Sequence, residues 1–319
     1  MNDEIVEDLQ IRDGEAFAAY LLRRGYYDEK RHRGSRRKHS WVLPSRLVHH
    51  AERLGLASAD RLVDENTLVP VLYRFLSRSD EAKLIGHHLG EPSLGITGMV
   101  GLTVSLGPPL RWAPGICLCC MSDDMEMYGH TFWRRDFLLP EIRWCARHNA
   151  PLYRLCDPCT IRFGTGRKFD MPFYRCLCGR PLALRPTTVH SHERELAKGW
   201  QALLDSNFAP FIGSQEIAAL TNSRARELGL VTDEQVYEDR CDDYFGAQRL
   251  RALGKSIDFL FNSKPVANAL LGQGCMRHPV HGIFLLVALF GNWRDVENLM
   301  ISQSEYLEAL DEGLVMIET

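Results

Sequence analysis

The chain has 319 residues, enough for two or three domains with their own apolar cores, so it does not depend on metal or disulfides to be a globule. Its composition, 45% hydrophobic and 25% charged, is that of an ordinary water-soluble protein and excludes fibrous and low-complexity classes. A net charge of −3 removes any whole-chain electrostatic case for phosphate binding, so a protein partner is at least as well supported as a nucleic acid.

In chain order, the acidic start MNDEIVEDLQIRDGE is unlike a secretory signal, and no stretch of about 18 uninterrupted apolar residues follows; a cytoplasmic chain without a membrane span is expected. Residues 14–25, GEAFAAYLLRRG, put Phe17, Tyr20 and Leu21 at helical spacing, with Gly25 as a stop. The basic run KRHRGSRRK at 30–38 offers Lys30, Arg31, Arg33, Arg36, Arg37 and Lys38 as candidate contacts to phosphate or a partner, against the plainer reading of a solvated loop. Residues 44–56 and 68–76 carry three-and-four spacing and read as helices. The segment GITGMVGLTVSLG at 95–107 breaks the pattern, and without a G-x-x-x-x-G-K-[ST] motif it reads as a loop or short strand.

From Arg111 to Pro186 the chain becomes turn-rich, aromatic and cysteine-dense, holding eight of the ten cysteines. Four ligand pairs follow one another: Cys117 and Cys120, Cys145 and His148, Cys156 and Cys159, Cys176 and Cys178. Two residues between ligands let both side chains aim at one point, and two such knuckles complete a tetrahedron, which zinc accepts without electronic preference. Chain order assigns Cys117, Cys120, Cys145 and His148 to one Zn²⁺ and Cys156, Cys159, Cys176 and Cys178 to a second. Cys119 competes with Cys120, because C-x-C from Cys117 is also feasible. In a reducing compartment such spacing points away from disulfides, and no thioredoxin-like unit supports a redox motif. With every position filled by protein, both ions are expected to be structural.

Between the knuckles, Phe132 and Trp133 are expected to pack around metal, while Arg134 and Arg135 are candidates for an ion pair or for a contact to partner or nucleic acid. Arg147-His148-Asn149 superficially resembles part of an HNH nuclease, but His148 stands in ligand spacing and no second histidine follows at a suitable distance with an asparagine to hold a catalytic metal. The pairs Asp123-Asp124 and Asp242-Asp243 read as solvated charge. Beyond Pro186 helical periodicity returns at 193–205, 215–228 and 247–261; Cys241 and Cys275 read as small buried side chains. Residues 278–300 read as a buried helix, a Gly-Asn turn and a second helix, either plain core or a DNA-reading helix-turn-helix. The fold expected is mainly α: a helical domain at 1–110, a double zinc module at 111–186 with zinc-ribbon or knuckle-like sites and little β, and a helical domain at 187–319.

The run CLCCMSDD, YGHTFWRRDFLLPEIRWCARHNAPL, LCDPC and YRCLCGRPL resembles the zinc region of the TniQ family over residues 111–182. More loosely, residues 14–25 are similar to the family's N-terminal helix and 278–291 to an element of the related TnsD targeting proteins. Leu118 and Ala146 stand where the family has proline. The resemblance implies a non-catalytic target-selection role in Tn-seven-like transposition, joining a target-recognising complex to the AAA+ regulator TnsC. Some members read an attachment sequence on DNA directly. Others bind a CRISPR Cascade or a single-protein effector, some as homodimers, and the near-neutral charge favours this second version.

Overall fold

A computed structural model describes residues 10–24, 42–56, 58–102, 114–164, 174–184, 191–205, 208, 212–232, 235–245, 264–274 and 276–311. The basic run at 30–38, the helix expected at 247–261 and Cys275 lie outside the described residues. The molecule is mainly helical. Its helices are α1 Phe17–Arg23, α2 Leu47–Leu54, α3 Ala59–Asn66, α4 Val69–Leu72, α5 Arg78–Leu89, α6 Ile96–Met99, α7 Leu118–Tyr128, α8 Asp157–Gly164, α9 Ser191–Leu204, α10 Ser214–Glu227, α11 Glu238–Phe245, α12 Lys264–Leu270, α13 Pro279–Phe290 and α14 Trp293–Asp311. Short 3-10 turns run over Tyr73–Phe75 and Arg135–Phe137. Among the described residues, four two-residue strands, β1 Trp144–Cys145, β2 Ala150–Pro151, β3 Tyr153–Arg154 and β4 Ala183–Leu184, make two antiparallel ribbons, β1–β2 and β3–β4. Among the described residues no helix is long and apolar enough to cross a membrane.

The chain divides into two compact units, Met1–Pro70 with Ala82–Val189, and Val71–Glu81 with His190–Thr319. In the first, α2 stops at Gly55 in the left-handed region and α3 starts on the Ser58 side chain, which accepts from Arg61 N–H. The segment after residue 95 forms the single turn α6, flanked by left-handed Gly95 and Gly101, where a loop or strand was expected. Residues 14–16 pair with 133–135: Ala16 N–H donates to Trp133 O at 2.8 Å and Arg135 N–H to Gly14 O at 2.9 Å. Glu15, fully buried, takes a two-pronged grip from Arg23, through Nε at 3.1 Å and Nη2 at 2.9 Å. Burial raises the Glu15 carboxyl, and that guanidinium opposes the rise.

In the second unit the apolar α13 is buried along nearly its whole length and lies against α9, α10 and α14. The approach to α9 is close: a Cβ on Gly199 would sit 2.5 Å from the Trp293 ring and 2.8 Å from Ile283. Trp293 N–H, at the start of α14, donates to Glu195 on α9 at 2.9 Å. The two-residue turn Gly291-Asn292 joins α13 to α14 as the sequence indicates.

His278 and His281, both buried, stack at 3.9 Å between ring centroids at the start of α13. Burial pushes His278 well below its usual value and His281 down to about 4, and the His281 ring further disfavours charge on His278. Unfolding returns these rings to the ordinary value of 6.5, so the unfolded chain binds more protons at pH between about 4 and 6.5. Stability is therefore complete above about 6.5 and lost as pH falls toward about 4. The protection of the α13 amides, measured against the intrinsic exchange rate, is expected to fall between pH 7 and 5, and to fall less in a His278→Gln, His281→Gln variant. An equal pH response in both proteins would contradict this.

Candidate metal centres

The first centre is assembled from one helix start and one tight hairpin. Cys117 is the residue that caps α7 and Cys120 lies in its first turn, so the C-x-x-C spacing turns both thiols to one side. Leu118 occupies the first helical position, a site where proline is also at home. Ile116 pairs with Tyr153 through N–H to O bonds of 2.9 and 2.7 Å, which brings the helix start to the β1–β2 hairpin. In that hairpin Cys145 lies opposite Ala150, and Asn149 adopts a left-handed φ of 47° while its Oδ1 accepts from Trp144 Nε1 at 3.1 Å. His148 is thereby turned back over the cysteines.

Donor atoms of Cys117, Cys120, Cys145 and His148 all lie within 4.8 Å of one another. His148 Nδ1 is 3.7, 3.3 and 3.6 Å from the Sγ atoms of Cys117, Cys120 and Cys145, and Cys120 Sγ is 3.8 Å from Cys145 Sγ. A tetrahedral zinc with its usual bond lengths implies edges of about 3.8 Å between sulfurs and about 3.6 Å from sulfur to nitrogen. The four distances above lie close to those values. Cys119 is exposed and outside the cluster, whereas Cys120 lies within it.

The second centre joins the start of α8 to a C-x-C-G knuckle. Cys156 and Cys159 bracket the first turn of α8; Cys176 and Cys178 sit on a turn closed by Gly179 N–H to Cys176 O at 2.7 Å and Cys176 N–H to Arg180 O at 2.8 Å. Gly179 has φ of 82°, a conformation that side-chain-bearing residues enter only at a cost. The β3–β4 ribbon ties the two halves together. All four sulfurs again lie within 4.8 Å of one another, with Cys156 to Cys178 at 3.7 Å and Cys176 to Cys156 at 3.5 Å. This centre is more open, with Cys178 exposed and Cys159 buried.

Thiols so crowded cannot share protons evenly. Hydrogen bonds from Cys120 and Cys145 hold Cys117 down to about 2, while the same thiolate pushes Cys120 far up and Cys145 up to about 12. In the second cluster burial drives Cys159 up to about 12, whereas the Arg180 backbone hydrogen bond lowers Cys178 to about 7. A divalent cation is what allows every sulfur in such a set to be a thiolate at once. The two clusters are thus able to hold metal ions.

The other expected site residues fare differently. Phe132 and Trp133 are buried in the first unit, beside the first centre. Arg134 and Arg135, candidates for outward contacts, are instead 8% and 5% exposed. Arg134 bonds to buried Asp124 and lies over the Phe132 ring at 4.8 Å. Arg135 Nη1 donates to Thr67 O at 2.9 Å and to Asp64 O. Burial leaves neither side chain on the surface where a phosphate would meet it. The expectation that Asp123 and Asp124 are mere solvated charge is corrected as well: Asp124 is 2% exposed and paired with Arg134, and Asp123 Oδ2 stands 2.9 Å from His148 Nε2. One signal was present, since Asp123 and Asp124 follow Cys120 by three and four residues and share its face once α7 is read as a helix. The Arg147-His148-Asn149 element is engaged internally, with His148 in the cluster and Asn149 on Trp144.

The chain matches no protein-family model. Over 117 residues it is 27% identical to the transposon Tn7 transposition protein TnsD of Escherichia coli, a stretch that covers 35% of this chain and 22% of that protein. The match therefore spans about a fifth of the length of the curated relative.

Proposed function

We propose that this chain is a non-catalytic target-selection adaptor of a TniQ type, in which two structural Zn²⁺ ions hold a docking platform rigid between a target-recognising complex and a TnsC-like AAA+ regulator of DNA transposition. The observation that carries the reading is the similarity to a Tn7 transposition protein. Four protein donors per cluster agree with it, because a zinc ion so enclosed has no open position for an activated water and serves structure.

In this reading the recognising complex is an RNA-guided effector such as Cascade, and DNA is met chiefly through that complex. Two observations favour protein contacts over direct reading. Arg134 and Arg135 are consumed inside the fold. Between 293 and 305 the exposed or half-exposed charges of α14 are Arg294 against Asp295, Glu297 and Glu305, an acid surplus that a phosphate backbone repels. The alternative, a TnsD-like protein that reads DNA itself, draws on the α13–α14 helix pair and the basic run at 30–38. An HNH-type nuclease is the remote third reading.

Co-purification decides between them. A tagged chain co-expressed with its cognate AAA+ regulator and RNA-guided effector is expected to retain both, and Cys156→Ser or Cys176→Ser to abolish recruitment by unfolding the second centre. Alone, the chain is expected to bind DNA weakly, with an affinity that falls steeply with salt. A sequence-specific footprint by the isolated chain would favour the direct reader, and full recruitment by a stable metal-free variant would refute the role of zinc.

A further inference from the structure

We propose that Asp123 is a positioning residue of the first centre, orienting the His148 ring so that Nδ1 faces the three cysteines; the inference rests on the metal-binding reading above. An imidazole offers two nitrogens, and which of them binds a metal is set by what the other one bonds. Here Nδ1 faces Cys117, Cys120 and Cys145 at 3.3 to 3.7 Å, while Nε2 faces Asp123 Oδ2 at 2.9 Å. A carboxylate only accepts, so this contact favours a hydrogen on Nε2 and leaves the Nδ1 lone pair to the metal. His148 lies in a turn and is 21% exposed at its side chain, whereas Asp123 is carried on a helix that also carries Cys120. The helix frame makes the geometry repeatable, because three residues along α7 is close to one turn, so ligand and orienting group move as one body.

The magnitude follows from exposure. Removing an orienting partner of a metal-bound histidine costs about 10- to 100-fold in affinity. The Asp123 side chain is 50% exposed, and water screens half-exposed charge, so the lower end, about 10-fold, applies. The second centre, made of four sulfurs, has no imidazole to orient and serves as an internal control.

The test uses the full chain loaded with cobalt, whose absorption separates a three-sulfur, one-nitrogen site from a four-sulfur site, in competition with a chelator. Asp123→Ala is expected to weaken the nitrogen-containing site about 10-fold and leave the four-sulfur site unchanged, with the helical circular dichroism intact. Asp123→Asn, which keeps an oxygen that accepts the Nε2 hydrogen, is expected to recover most of the loss. Nitrogen-15 NMR of the imidazoles is expected to show His148 protonated at Nε2 in the parent and in Asp123→Asn. The proposal is overturned if both sites weaken together, if neither does, or if the asparagine variant is as weak as the alanine one. A parent chain that takes up no metal would overturn the underlying reading instead.

Discussion

Cys145→Ser is expected to unfold much of the cysteine-rich part of the first unit while the helices of the second persist. The apparent binding energy of a structural zinc is about 10 to 16 kcal/mol, comparable with or larger than the ~5 to 15 kcal/mol net stability of a whole domain. Cys145 is 1% exposed, and Cys119, exposed on α7 and outside the cluster, is not placed to substitute for it. The loss reaches beyond the metal: α7 carries both Cys120 and the Asp124 that grips Arg134, and Arg134 belongs to the segment paired with residues 14–16. Metal analysis is expected to show one equivalent instead of two. Hydrogen exchange is expected to show loss of protection over 115–155, with α9, α10 and α13 still protected. Retention of two equivalents of metal, with protection unchanged, would remove the structural basis of the first centre.

The second large effect concerns the buried pair beside that centre. Burial raises the Asp124 carboxyl and the Arg134 guanidinium pulls the other way, so each group depends on its partner to stay charged where it is. With side chains 2% and 9% exposed, removing one partner strands a charge out of water. Asp124→Ala is expected to destabilise the first unit by about 3 to 5 kcal/mol in urea titrations. An apolar replacement of both, Asp124→Leu with Arg134→Met, is expected to recover most of that, because stranding rather than loss of attraction is the main cost. A single variant costing less than about 1 kcal/mol, the range of exposed pairs, would show the tie to be superficial.

Much of the secondary structure was legible from periodicity. Helices expected at 14–25, 44–56, 193–205 and 215–228 correspond to α1, α2, α9 and α10, with ends set by Gly55 and by the Glu216 carboxylate on Gly213 N–H. Two helices inside the cysteine-rich stretch, α7 and α8, were not legible there. The reason is physical: a helix whose buried face is turned to a metal carries cysteines and aspartates where an ordinary amphipathic helix carries leucine, so its periodic apolar signal is missing. The turn chemistry around the ligands masked the rest.

What the sequence by itself determined is which side chains cluster. The two groups of four that could hold a metal ion are those indicated by C-x-x-C, C-x-x-H and C-x-C spacing, because aiming two side chains at one point is a matter of a few consecutive backbone angles. Only the tertiary structure decided the fates of Arg134, Arg135, Asp123 and Asp124. Whether an arginine meets solvent or a buried carboxylate depends on which distant segment covers it, here residues 14–16 and 64–67, and a pair of adjacent carboxylates reveals its separate partners only once the helix beneath them and the hairpin above are packed together.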